Sequence, residues 1–169
     1  LDVLALADRV VVLKSGRVAE AGPVTSVLAA PRSRFGARFA GVNLVSGILT
    51  GAGTLRTAAG TQWHGIQAAD LADGADVVAV FDPAAVAVYR DAPHGSPRNC
   101  VAVRVAELAP HGATIRVRAA EQSDGAPGLA ADITAAAAAE LRLAVDDQVW
   151  LTVKALEVAL HTAVRPAVR

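Results

Sequence analysis

From Asn43 onward the chain alternates between apolar and polar positions. In Val101-Ala102-Val103-Arg104-Val105 and in Thr114-Ile115-Arg116-Val117-Arg118 the β-branched residues recur at every second place, with Ala or Arg between them. A strand that buries one face and wets the other has this period, so the intervening arginines are predicted to be solvated. Stretches rich in turn residues separate these runs: Thr50-Gly51-Ala52-Gly53, Ala92-Pro93-His94-Gly95 and Asp124-Gly125-Ala126-Pro127-Gly128. One segment breaks the rhythm. Ile133 and Thr134 lead into an Ala run ending at Leu141, which predicts a single helix with Thr134 as its N-cap.

The first 42 residues have a different pattern. Leu1 to Leu13 predicts a helix end followed by a strand through Val10-Val11-Val12, and Lys14-Ser15-Gly16-Arg17 a tight turn into a second strand at Val18 and Ala19. Pro23 suits the first turn of a short helix over Val24 to Ala30, which Pro31 stops. Ser33 to Ala40 predicts another helix, with Phe35 and Phe39 at i, i+4 as its apolar side, Arg34 and Arg38 beside them, and Gly41 as C-cap.

The second region also repeats itself. Val77 to Tyr89 aligns without a gap on Val149 to His161, and Asn43-Leu44-Val45 echoes Asn99-Cys100-Val101. The echo predicts a duplicated unit, with a first copy at 43–91 and a second at 96–161. Each copy opens on an Asn-led strand and closes with two strands joined at a kink, as in the short Greek-key barrel of the OB-fold. The predicted fold class is therefore mainly β: tandem OB-like barrels with one short helix in the second copy, behind a strand-hairpin-helix unit.

Composition narrows the function classes. The chain of 169 residues is 53% hydrophobic, ample for a packed core. Sixteen Lys and Arg balance sixteen Asp and Glu, so no long-range field recruits nucleic acid, and an aromatic content of 4% leaves few platforms for stacking bases. No nucleic-acid partner is expected. No apolar run reaches the length that spans a bilayer. His64, His94, His111 and His161 have no His or Cys at i+3 to i+5, which leaves no zinc signature. Asp146-Asp147 reads as a turn rather than a catalytic pair. Cys100, alone, fits a reducing compartment and is expected to be a small core side chain. The chain contains no Gly-x-x-x-x-Gly-Lys-Ser/Thr loop, so it is not expected to hydrolyse ATP by itself. Its first residue is Leu1, and its first residues read as the middle of a domain, which predicts a segment of a longer protein.

The opening Leu6-Ala7-Asp8-Arg9-Val10-Val11-Val12-Leu13, with Gly16, Arg17, Glu20, Gly22 and Pro31, resembles the end of the nucleotide-binding domain of ABC importers. Ser96-Pro97-Arg98-Asn99 before a strand, Asp132-Ile133-Thr134 before a helix ending in Glu140-Leu141, and Val153-Lys154-Ala155 followed by Val158 resemble the TOBE or MOP accessory domain. The match is good from Ser96 to His161 and weaker over Asn43 to Tyr89. Together the two parts resemble the C-terminal region of molybdate-importing ABC ATPases. The resemblance implies a boundary at residue 42, with 1–42 ending an ATPase domain and 43–169 forming the accessory domain. It also implies a homodimer of ATPase subunits, membrane permease partners, a cytoplasmic position at the inner face of the membrane, and ATP and Mg held elsewhere in the parent protein.

A tetrahedral dianion such as molybdate or tungstate has no proton to give, so its binder must supply donors only. Ser96, Arg98 and Lys154 offer that inventory, and the resemblance makes Ser96, Arg98, Asn99, Lys154 and Ala155 the oxyanion-binding candidates. Taken without the resemblance, Arg98 and Lys154 read first as solvated charges that blunt a strand edge. Pro97 lacks a main-chain donor, and Ala155 lacks the hydroxyl that some family members carry. In the first copy Asp82 stands at the place of Lys154. An acid repels a dianion, which assigns the site to the second copy. The other reading is a structural dimerisation domain with no small ligand.

Overall fold

A computed structural model describes residues 7–14, 16–122 and 126–163. Strands β1 (Arg9–Lys14) and β2 (Arg17–Pro23) form the expected antiparallel hairpin. Helix α1 spans Val24–Ala29 with Pro23 at its N-cap, and α2 spans Arg34–Ala40. The helix end expected at the start of the chain lies largely outside the described residues.

Two local devices fix α2. At its start Ser33 Oγ accepts from the Gly36 amide at 3.0 Å. The buried Glu20 carboxylate of β2 in turn accepts from the Arg32 amide at 2.9 Å and from Ser33 Oγ at 2.6 Å. At its end Gly41 takes a φ of 76°, where a side chain would be strained. The helix is where the pattern predicts, but it buries the opposite side. Gly36 and Ala37 face inward, and Ala37 packs with Leu44, Val78 and Val80. Phe35 and Phe39 remain 58% and 48% exposed and stack on each other with ring centroids 6.3 Å apart. Close approach explains the reversal: a Cβ on Gly36 would press on the Glu20 carboxylate, so this interface has room only for small side chains.

The remaining strands are β3 (Asn43–Leu49), β4 (Thr54–Arg56), β5 (Gln62–His64), β6 (Ile66–Gln67), β7 (Asp76–Phe81), β8 (Ala87–Tyr89), β9 (Asn99–His111), β10 (Thr114–Ala119), β11 (Ala130–Thr134), β12 (Gln148–Val153) and β13 (Ala159–Thr162). Helix α3 (Ala135–Glu140) follows β11, and Thr134 Oγ1 accepts from the Ala137 amide at 3.1 Å as the expected N-cap. Three-residue 3-10 turns at Pro83–Ala85 and Ala155–Glu157 make the two predicted kinks. The strands build two curled sheets in the orders β5-β4-β3-β7-β13-β6 and β11-β10-β9-β12-β8.

Neither copy closes on its own last strand. Strand β13 of the second copy pairs with β7 of the first, setting Ala159 opposite Val80. Strand β8 of the first pairs with β12 of the second, setting Ala87 opposite Thr152. The sequence echo maps one pairing onto the other, so the exchange is reciprocal and in the same register. One apolar cluster consequently includes Leu49, Leu55 and Val77 from the first copy with Val105, Val149 and Leu160 from the second.

The two echoed asparagines cross between the copies. Asn43, 4% exposed, donates through Nδ2 to the Ala130 carbonyl at 2.8 Å and accepts the Ala130 amide at 2.7 Å. Asn99, 2% exposed, donates to the His64 carbonyl at 2.8 Å and accepts the His64 amide at 2.7 Å. Each side-chain amide thus acts as one rung of a β-ladder toward a main-chain segment of the other copy. Beside His64 the chain bends at Gly65, where a Cβ would collide with the Val158 carbonyl.

Two expectations fail in the strands. Arg116 is not solvated: its side chain is 15% exposed and makes a two-pronged ion pair with Asp132, Nε to Oδ1 at 2.7 Å and Nη2 to Oδ2 at 2.6 Å. Cys100 is exposed rather than core, because the pleat that turns Asn99 inward turns its neighbour out. The Asp146-Asp147 turn is present, with Asp146 at a φ of 71° and Asp147 Oδ2 accepting from the Ala144 amide at 2.8 Å.

Replacing Asn43 or Asn99 by Ala leaves the buried Ala130 or the part-buried His64 peptide group without its partners. Each substitution is expected to lower stability by about 2–4 kcal/mol, from roughly 1–3 kcal/mol per unsatisfied group, as measured by urea unfolding. A loss below about 0.5 kcal/mol, within the range of ordinary surface changes, would show that these bonds do not hold the copies together. Hydrogen bonding from Arg116 holds the Asp132 carboxyl below its ordinary range despite burial. A depressed folded-state pKa gives stability that is complete above the unfolded value, about 3.9, and is lost as pH falls through the folded value. Asp132→Asn should therefore flatten the acid limb of the stability curve below roughly pH 4, while an unchanged limb would assign it to other carboxylates.

Candidate functional site

Strand register assembles the candidate residues. Asn99 opens β9 and lies opposite Val153, the last residue of β12. Antiparallel pairing therefore brings Ser96-Pro97-Arg98, entering β9, alongside Lys154-Ala155, leaving β12. Ser96, Arg98 and Lys154 are exposed, Ala155 is half-buried and Asn99 is buried. Residues more than fifty positions apart in sequence thus share one end of the sheet.

The first copy forms a wall of the same place. Ile66 donates its amide to the Val158 carbonyl at 2.8 Å, and β6 runs parallel to β13 with Ile66 opposite Ala159. His64 is held by Asn99 on its main chain and by a 3.3 Å contact between its Nδ1 and Thr54 Oγ1. Asn99 has both amide atoms engaged on His64, so it positions Arg98 and the first-copy segment. The sequence pattern did not reveal the His64-Gly65-Ile66 wall. Its only signal is the echo of Asn43 in Asn99, two residues whose side chains bond the main chain of Ala130 and His64 respectively.

The duplication provides an internal comparison for the turn after β12. In the first copy Asp82 caps the turn Pro83–Ala85, its Oδ1 accepting from the Ala84 amide at 2.7 Å. In the second copy Lys154 precedes the turn Ala155–Glu157, and no side chain caps it. The backbone is the same, and the charge and the acceptor are reversed. An anionic oxygen that the first copy supplies from its own side chain is missing from the second, where a cation stands instead. Glu157, exposed in the same turn, leaves Arg98 and Lys154 with a net excess of one positive charge. The local chemistry favours an external oxyanion over a cation, through two cationic side chains, the Ser96 hydroxyl and the turn amides.

Residues 95–160 match the TOBE domain family. The chain is 59% identical over 163 residues to the molybdenum import ATP-binding protein ModC of Mycobacterium tuberculosis, strain CDC 1551 / Oshkosh, and equally to that of strain H37Rv. The match covers 96% of this chain and 44% of those proteins, so the chain spans less than half the length of these relatives. Among solved structures, the cytoplasmic molybdate-binding protein ModG, crystallised with molybdate bound, superposes with a TM-score of 0.62 at 24% identity. That superposition covers 71% of this chain and 95% of ModG and establishes a shared fold. The chain carries a TOBE domain over residues 95–160 and is, along nearly its whole length, similar to part of the molybdenum import ATP-binding protein ModC.

Proposed function

We propose that this chain is the regulatory oxyanion-binding part of an ABC importer ATPase, acting in molybdate transport, with molybdate or tungstate as its ligand. The observation that carries the reading is the Asn99–Val153 register, which sets Arg98 and Lys154 together beside an uncapped turn. The identity to ModC supports the transport context. The residues suit such an ion: Arg98, Lys154 and Ser96 would donate to its oxygens, with the Ala155 turn beneath them and Asn99 holding the entrance in place.

In this reading residues 1–42 end the nucleotide-binding domain and 43–169 form the accessory domain. ATP and Mg would belong to the rest of the parent protein. Its partners would be a second ATPase subunit and the membrane permease, at the cytoplasmic face of the membrane. The ligand would regulate by binding one arrangement of the paired subunits better than another, since equal affinity for both shifts nothing. The alternative is a ligand-free dimerisation domain, which the missing donors at Pro97 and Ala155 favour.

Titration calorimetry with molybdate, tungstate and sulfate separates the two. Binding is expected, and Lys154→Ala should weaken it more than tenfold, since a charge-assisted hydrogen bond contributes on the order of 1.5–3 kcal/mol. Absence of heat with all three ions at millimolar concentration would leave the dimerisation reading in place. A Lys154→Ala variant that binds like wild type would remove Lys154 from the site.

A further inference from the structure

A groove of about 940 Å³ is lined by β3 and β9, by the 57–61 turn and by the 119–122 stretch, and by none of the residues around Lys154. Its walls include two strand edges that no further strand completes. Successive residues of a strand turn their main-chain groups to alternate sides. On β7 the Asp76 carbonyl accepts the Ala163 amide at 2.9 Å, so Asp76, Val78 and Val80 serve β13 while Val77, Ala79 and Phe81 serve β3. Their partners on β3 are Gly47, Val45 and Asn43, which leaves Leu44, Ser46 and Ile48 turned away. Ile48 pairs with Arg56 of β4, and the Leu44 carbonyl accepts from Gln122 Nε2 at 3.2 Å. Between them, the Ser46 amide and carbonyl have no partner among the described residues. On β9 the Val105 amide donates to the Asp147 carbonyl at 2.9 Å and its carbonyl accepts the Asp146 amide at 2.8 Å, so the odd positions serve β12. Arg104 turns the other way, its carbonyl accepting the Ala120 amide at 2.9 Å. Ala102, next in that alternation, has no main-chain partner among the described residues. The echo that sets Asn43 on Asn99 sets Ser46 on Ala102, so the same edge is open once in each copy.

An open edge is a template for a further strand, and proteins commonly blunt it with charge, proline or a bulge. Ser46-Gly47 and Val101-Ala102-Val103 carry neither charge nor proline. The groove also has an apolar lining, from the buried Trp63 and Leu129 and the half-buried Val101 and Val103. Main-chain amides and carbonyls set out at strand spacing beside apolar side chains match an extended polypeptide, whose own groups alternate in the same way. A sugar or a nucleotide lacks that repeat. Strand addition is already the means by which this fold joins its copies, through β8 on β12 and β13 on β7, and a groove walled by both copies continues that interface. Its charged residues, Arg56, Arg104, Asp76 and Glu121, are of both signs, so the main chain and the apolar lining, rather than net charge, would hold the occupant.

We propose that this groove binds an extended peptide segment of a partner protein as an added strand, main chain to main chain with Ser46 of β3 and Ala102 of β9, its alternate small apolar side chains turned toward Trp63 and Leu129. The site uses none of the residues of the oxyanion reading, and its test contains no oxyanion.

Amide hydrogen exchange of the chain, followed residue by residue by NMR, tests this. Without peptide, the Ser46 and Ala102 amides should exchange about tenfold or more faster than those of Val45 and Val103, which are bonded within the ladders. A blocked peptide of alternating Val and Thr, flanked by Glu for solubility and present at millimolar concentration, should slow both amides by about tenfold or more. The same peptide N-methylated throughout has no main-chain donors and should slow neither. The proposal is overturned if both amides are already protected in the dilute chain, if the peptide slows neither or only one of them, or if the N-methylated peptide acts equally well. Protection that rises with chain concentration in the absence of peptide would assign the edges to a second copy and overturn it too.

Discussion

The structure depends on two asparagine side chains that behave as main chain. Asn43 and Asn99 each present a carboxamide to a peptide group of the other copy, one donor and one acceptor on each side. A buried carboxamide without partners would cost more than it gives, so these contacts form together with the docking of the copies or not at all. They sit at the first positions of β3 and β9, where the register of both sheets begins. Fixing those positions fixes what lies opposite: Phe81 for Asn43 and Val153 for Asn99. The exchange of β8 and β13 follows the same symmetry, and it merges the two apolar interiors into one cluster.

On that symmetric backbone the side chains at the ends of the sheets have diverged. After β7 an acid caps its own turn, and after β12 a lysine leaves the equivalent turn without a side-chain acceptor. Duplication thus provides two similar frames, and the substitutions on them determine which frame relies on its own carboxylate and which has donors to spare. The 3-10 turn alone does not distinguish them, since its geometry is nearly the same in both: φ −73° and ψ 136° at Asp82, φ −68° and ψ 143° at Lys154.

Much of this fold was legible because it is local. Period-two runs gave β9 and β10, Thr134 and Gly41 marked helix ends, and the gapless echo gave the duplication. What was missed is non-local. Strand exchange leaves no trace in periodicity, because β8 and β13 have the same pattern whichever copy they join. Phe35 and Phe39 suggested an inward face by hydrophobicity, yet contact distance gave that face to Gly36 and Ala37. Arg116 looked like a solvated strand residue until Asp132, on the neighbouring strand, was set opposite it by the β10–β11 register. Of the candidate site, Arg98 and Lys154 could be chosen in sequence only through family resemblance. Their juxtaposition follows from the β9–β12 register, and the wall from His64 to Ile66 required the exchanged topology.

That topology also limits how an anion could act at a distance. Arg98 and Lys154 belong to one copy, and the β9–β12 register alone brings them together, so a ligand on them does not in itself require the other copy. Coupling to the first copy has a direct route in two contacts that join the copies at this end: the Asn99 bonds to His64 and the Ile66 amide on the Val158 carbonyl. Both hold the main chain beside Gly65, one through the buried Asn99 carboxamide and the other through main-chain atoms alone. A ligand that shifted Arg98 or the 155–157 turn would therefore displace the bend as a unit, and with it β5 and β6, the two strands that begin and end the six-stranded sheet. Because those strands are joined only by Gly65, such a displacement would open or tighten the whole barrel. That is the kind of two-state element through which a small anion could influence a larger assembly.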